Sequence, residues 1–277
     1  MSDALSGFAA AARGAGRPVR AVLAALVAAL VAAPAAWAAE APEHGGEEHG
    51  FLLLQQIPGL EHAPFQVVHA IFVALVVAAL AWIGTAGIRS GRAGLVPSAR
   101  LDAQNIVELI VQTVIGFLDS VIGHEGRRFL PLIGTLAFFI LFSNLLGLVP
   151  GFLPPTSHYG TTATLAVVVF LVYNYVGIRA HGASYVKHFL GPVWWIAPLL
   201  LVIEVFSHLV RPVSLSIRLY ANMFADHQVV SVFLSLVPLV VPVFLMALGL
   251  LIAFIQTLVF CLLSAIYIAG AVAHEEH

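Results

Sequence analysis

Charge is the scarcest feature of this 277-residue chain: 9% of its residues are Asp, Glu, Lys or Arg, against roughly 25% in a soluble domain. With 61% hydrophobic residues and a mean hydropathy of +1.00, too little polar surface is left to cover a water-soluble core. The composition predicts an all-α, polytopic membrane protein. Cysteine is almost missing as well. Cys261, with no second cysteine, excludes an internal disulfide and any multi-cysteine metal site. A formal charge of −2, with no basic patch and no interleaving of aromatic and basic residues, excludes nucleic acid as a partner. No cofactor and no metal are expected.

The N-terminus reads as a secretory signal. Arg13, Arg17 and Arg20 form a basic region, residues 21–33 an apolar core too short to span, and Ala36-Trp37-Ala38 an A-x-A cleavage site. The expected organisation is a cleaved signal peptide over 1–38, an acidic extracytoplasmic segment over 39–66 and a membrane-embedded domain over 67–277. A retained anchor or an organellar transit peptide is the rival reading, and the compact apolar core argues against the latter. His44, His49 and His62 lie among acids in the 39–66 segment. A flexible Gly-rich stretch lacks preorganised metal-ligand spacing, so a solvated tail is expected there.

Spanning helices are expected over 67–87, 129–149 and 161–178, each close to the roughly 20 residues a bilayer requires. Residues 101–122 differ: Asp102, Asn105, Glu108, Gln112 and Asp119 interrupt the apolar pattern at helical spacing, as in an amphipathic helix lying along the membrane surface. Beyond residue 38, seven Lys and Arg fall in 88–100, 123–128 and 179–188, and two, Arg211 and Arg218, fall in apolar sequence. The positive-inside rule makes the seven cytoplasmic. Five crossings then leave the mature N-terminus outside and the C-terminus in the cytoplasm, in agreement with the signal peptide.

Two further apolar stretches, 194–236 and 238–272, are too long for simple spans. As continuous helices they would reach about 60 and 50 Å, well beyond a hydrocarbon core of about 30 Å. An overlong, steeply tilted hairpin is expected, with Pro198 and Pro212 as bend points and Pro238 and Pro242 at its turn. The first arm carries polar groups at a cost of roughly 2.5–3.5 kcal/mol per charge at a helix centre. At 100° per residue Glu204, Ser207, His208, Arg211, Ser214, Arg218, Asn222 and Asp226 form one continuous stripe. Such a seam faces a protein partner or a water-filled path, since snorkelling to headgroups serves only residues near helix ends.

The segment PVSLSIRLYANMFADHQ (212–228) resembles subunit a of the F-type rotary ATP synthase of bacteria. Pro212, Ser214, Leu215, Arg218, Leu219, Tyr220, Asn222 and Met223 match, in order, the family's pattern around its essential arginine. Residues 129–152, the Pro-Thr-Ser loop at 155–157, Glu204 and Gln256 extend the likeness over about 65–272. The resemblance implies a stator that couples ion flow to rotation of a c-subunit ring, and so to ATP synthesis, without itself being catalytic. It implies Arg218 as the essential arginine. Glu204, Ser207 and His208 would belong to the cytoplasmic half-channel, and Asn222, Asp226, His227 and Gln256 to the extracytoplasmic one. Arg211, Ser214 and Asn144 would support them. The implied partners are the c-ring, b-type peripheral stalk subunits, the remaining synthase subunits and lipid; the implied location is the bacterial inner membrane. Family alignment favours His227 as the extracytoplasmic proton carrier, whereas the helical wheel favours Asp226, so both stand. Where the family frequently has His or an acid, seven residues before the glutamine, this chain has Gly249.

Two other functions are weighed. An ion-coupled secondary transporter would usually show a second copy of the polar stripe, and none is seen. An intramembrane hydrolase built from Ser214, Asp226 and His227 would need its acid and histidine to converge, yet neighbours on a helix point about 100° apart.

Overall fold

The computed structural model describes residues 65–89, 103–149, 152–182, 197–236 and 240–272. The expected signal peptide, most of the acidic segment with His44, His49 and His62, and the C-terminal tail lie outside these residues. Among the described residues six α-helices are formed: α1 (Phe65–Arg89), α2 (Ala103–Val121), α3 (Leu130–Leu146), α4 (Tyr159–His181), α5 (Ala197–Leu236) and α6 (Val240–Val272). Among the described residues there is no strand. Four regions, Gly126–Leu146, Tyr159–His181, Pro198–Phe233 and Val241–Val272, are long and apolar enough to cross a membrane. The 25-residue α1 contains a shorter apolar stretch, Gln66–Trp82, where a spanning helix over 67–87 was expected. In a medium without water, helices are the way such a chain satisfies its own backbone N–H and C=O groups.

Helix α2 has the amphipathic character expected of 101–122. Val111, Val114 and Leu118 are buried on one side while Thr113, Gly116 and Ser120 are exposed on the other. Its buried side packs on α1 and α3. A 3₁₀ turn, His124–Phe129, joins it to α3. Gly123, at φ +80°, begins that turn in a conformation that L side chains adopt at a cost. Asp119 closes it by accepting from Arg127 Nε at 3.2 Å and Nη2 at 2.9 Å.

After α3 the chain doubles back tightly. A Cβ on Gly147 would lie 2.7 Å from Pro154 Cγ, so the absence of a side chain there lets the two segments touch. Thr156 Oγ1 donates to Asn144 Oδ1 at 2.8 Å in the buried base of the turn, and Phe152 meets the rings of His69 and Phe72 on α1. His158 is the N-cap of α4, its Nδ1 accepting from Gly160 N–H at 3.2 Å. Burial lowers the His158 pKa from its ordinary 6.5. The neutral, accepting form therefore belongs to the folded chain, and its contribution is complete above pH 6.5 and lost as pH falls through the lowered value. Intrinsic-rate-corrected hydrogen exchange over 159–162 is expected to accelerate on acidification. His158→Ala should show the faster exchange at all pH values, with a cap loss of about 1 kcal/mol.

The core is formed where α3, α4, α5 and α6 meet, around Ile133, Leu136, Ile140, Leu165, Tyr173, Leu219, Phe260 and Ile268. Lipid is as apolar as leucine, so helix association here depends on close packing rather than on escape from water. Helix α6 supplies it with a row of buried small residues at every fourth position: Gly249, Ala253, Thr257, Cys261 and Ala265. Cys261 approaches so closely that its Sγ lies 3.9 Å from the Ile133 carbonyl oxygen on α3.

The hairpin is as long as expected, 40 residues in α5 and 33 in α6. Pro212 lies inside an uninterrupted α5, so the ring removes one backbone donor without ending the helix. Burial separates this hairpin from the rest. Within the most apolar windows 67% of α3 and 61% of α4 is buried, against 17% of α5 and 28% of α6. Leu201, Val205, Phe206, Leu209, Val213, Ile217, Phe244, Leu251, Phe254 and Leu258 are all exposed. The two arms therefore carry a broad apolar face toward their surroundings.

Candidate functional site

Helix α5 divides into two arcs around Arg218. Leu215, Ser216, Leu219 and Met223 are buried against the core, while Ile217, Arg218, Ala221, Asn222, Phe224 and Ala225 are exposed. Within about 40° of Arg218 on the wheel lie Glu204, Ser207, Arg211, Ser214, Asn222 and Ala225, with Ala221 at about 60°. Ser207, Ser214, Ala221 and Ala225 are small side chains, which leave the backbone open to close approach around Arg218. Arg218 makes no ion pair or hydrogen bond with another described residue. A guanidinium keeps its charge in any protein setting, so the exposed arc carries a fixed cation on an apolar surface.

Toward the N-terminal half of α5, the predicted residues have partners that the sequence did not reveal. His208 is buried against α4, its Nε2 lying 2.8 Å from Asn174 Oδ1 and 3.3 Å from Tyr173 Oη. Asn174 Nδ2 donates to the Phe170 carbonyl at 2.8 Å, which turns Oδ1 toward the histidine and makes Nε2 its donor. Arg211, expected as a supporting charge, lies 3.8 Å from Glu204 Oε1 and over the ring of Tyr267 on α6. Ser207 is exposed. Ser214 Oγ donates to its own helix at the Arg211 carbonyl.

Toward the C-terminal half, Asn222 Nδ2 donates to Gln256 Oε1 at 2.7 Å. Gln256 thus reaches α5 one turn beyond Arg218. Asp226 leans on α6: a Cβ placed on Gly249 would meet its Oδ2 at 2.6 Å and its Oδ1 at 3.1 Å. The carboxylate occupies the space that a larger residue at 249 would fill. His227 is half-buried, about 100° round the helix. Asn144 is buried in the last turn of α3, where it accepts from Thr156 Oγ1 and braces the following loop. Among the described residues, no three His, Cys, Asp or Glu side chains come together as a metal would require. Ser214 and Asp226, twelve positions apart on one unbroken helix, are about 18 Å apart along its axis, which separates the hydrolase trio.

The family profile described as ATP synthase A chain matches residues 67–269. The chain belongs to that family. Syntrophotalea carbinolica has a relative named ATP synthase subunit a 2, 51% identical over 217 residues that cover 78% of this chain and 89% of the relative. An ATP synthase subunit a of Desulfosudis oleivorans is 45% identical over 225 residues, 81% of this chain and 96% of that one. Another, from Bdellovibrio bacteriovorus, is 42% identical over 225 residues, 80% and 97% of the two chains.

Sequence reasoning missed Tyr173, Asn174 and Tyr267. Asn174 and Tyr173 lie 34 and 35 positions before their partner His208. Both belong to a helix read only as an apolar span, and Tyr267 passed for one more aromatic in another. A polar residue at helical spacing within an apolar run, as Asn174 is, was the available signal.

Proposed function

We propose that the chain is the membrane stator of a bacterial F-type ATP synthase, in the inner membrane, working against a ring of c subunits that each carry one carboxyl. The observation that carries this reading is Arg218. It is an exposed cation with no ion partner among the described residues, set among small side chains on the apolar face of an overlong hairpin. A mobile anion supplied by another polypeptide suits that position. In this reading the N-terminus is extracytoplasmic and the C-terminus cytoplasmic, as the charge distribution requires. Asn222, Asp226, His227 and Gln256 line the extracytoplasmic half-channel; Glu204, Ser207 and His208 line the cytoplasmic one; Arg211, Ser214 and Asn144 support them.

During synthesis a ring carboxylate near Arg218 takes a proton arriving from outside and becomes a neutral carboxyl, which can turn into lipid without the cost of a buried charge. After a circuit it releases the proton to the cytoplasmic half-channel, and the renewed carboxylate is drawn to Arg218. The fixed guanidinium also bars a proton from crossing directly between the half-channels. Each charge crossing the full potential releases about 2.3 kcal/mol per 100 mV, delivered as rotation. The packing of the Asp226 carboxylate over Gly249 favours Asp226 as the last proton carrier on the outer side. Peripheral stalk subunits of b type would hold the stator against the torque.

A cysteine at Ala221, exposed beside Arg218, is expected to form a disulfide with a cysteine placed next to the ring carboxyl, since a bridge forms only at Cα separations below about 7 Å. Leu171→Cys, exposed on α4, should not. Cross-linking from Leu171 with none from Ala221 would place the ring elsewhere.

A further inference from the structure

Arg211 and Arg218 present a difficulty that the geometry resolves. Seven residues apart on a continuous helix, they differ by about 20° in direction and 10.5 Å in height. A carboxylate travelling along this face would meet two permanent positive charges and could rest at either. The side chain of Arg211, however, reaches back along α5, away from Arg218. Its Nη2 lies 3.8 Å from Glu204 Oε1, two turns nearer the N-terminus. Its Cζ stands 5.7 Å from the centre of the Tyr267 ring, within the roughly 6 Å over which an aromatic face attracts a cation. Tyr267 is itself braced, its ring 6.0 Å from that of Tyr173. Tyr173 is buried and bonded to His208.

We propose that Glu204 and Tyr267 form a clamp that holds the Arg211 guanidinium off the rotor track, so that a passing ring carboxylate stops at Arg218. Tyr267 is then a positioning residue acting through Arg211, and Glu204 serves as a counter-ion in addition to lining the half-channel. The clamp uses both kinds of attraction open to guanidinium, a carboxylate on one side and a π face on the other. Losing either member frees Arg211 to compete for the rotor anion and slows rotation without removing any group that binds the ring.

The inference rests on the proposed stator role, and one set of variants separates the two. Complete synthase reconstituted into vesicles is assayed for ATP-driven proton pumping, with assembly checked by co-purification of the ring. Tyr267→Leu and Glu204→Gln are each expected to slow pumping by about three- to tenfold, the range that a cation–π contact corresponds to. Tyr267→Phe, which keeps a π face, should stay near the parent rate. Adding Arg211→Gln should restore much of the rate to Tyr267→Leu, because no stray cation remains to be clamped, and only part of it to Glu204→Gln, which also lacks a half-channel carboxylate. A Tyr267→Leu, Arg211→Gln double variant as slow as Tyr267→Leu alone, or Tyr267→Leu pumping at the parent rate, would overturn the clamp. Should Tyr267→Leu fail to assemble, Tyr267→Met decides by the same criterion. Pumping that survives Arg218→Ala would instead defeat the stator reading, whatever the clamp variants do.

Discussion

Arg218→Ala is expected to abolish ATP-driven acidification of inverted membrane vesicles while leaving the synthase assembled. The two halves of that expectation have different physical origins. Assembly should survive because Arg218 is exposed and bonds to no other described residue; truncating it opens no cavity and orphans no buried partner. Pumping should fail because no other group on the exposed arc of α5 supplies a fixed charge at that height. Without it a ring carboxylate has nothing to meet on leaving one half-channel, and nothing prevents a proton from passing straight to the other. A loss of at least about a hundredfold is expected, comparable to removing one preorganised electrostatic group from a reaction path. Vesicles should also leak protons passively without turning the ring. Pumping retained at even a tenth of the parent rate would be incompatible with the proposed role.

The second large effect is expected at Gly249. Substitution by Val introduces a Cβ where Asp226 Oδ2 lies at 2.6 Å and Leu148 Cδ2 at 3.1 Å. The Asp226 carboxylate sits at the end of a short side chain on a packed helix, so it must turn away or the two arms must part. In either case the acid leaves its seat over Gly249, one helical turn along α5 from the Asn222–Gln256 contact. Displacements of about 1 Å at a reacting group commonly cost on the order of a hundredfold, and proton flux through the membrane sector should fall by at least about tenfold on that scale. Gly249→Ala shares the Cβ and should lie between the parent and Val. Flux in Gly249→Val equal to the parent would remove Asp226 from the pathway and leave His227 as the carrier.

Much of this was readable along the chain. The helices begin and end within a few residues of their expected limits: α4 runs Tyr159–His181 where 161–178 was expected, and α1 starts at Phe65 rather than 67. Apolar composition identifies a helix in lipid almost regardless of its neighbours, because an unpaired backbone has no alternative there. The polar stripe of α5 was legible for a related reason, since residue spacing on one helix fixes direction without knowledge of anything else. The small residues at 249, 253, 257, 261 and 265 were equally visible, and only the packing of α6 on its neighbours, Gly249 against Asp226 of α5 and Cys261 against α3, gave them meaning.

Composition and spacing alone determined that this is a helical membrane protein with an overlong hairpin, and that one face of that hairpin carries Arg218. Tertiary structure decided which polar groups have company: His208 with Asn174 and Tyr173, Arg211 with Glu204 and Tyr267, Asp226 over Gly249. Each of these arrangements, apart from the Glu204 contact, depends on where a second helix lies in space. That placement follows from side-chain packing between segments 23 to 56 positions apart, for which a one-dimensional periodicity carries no distance.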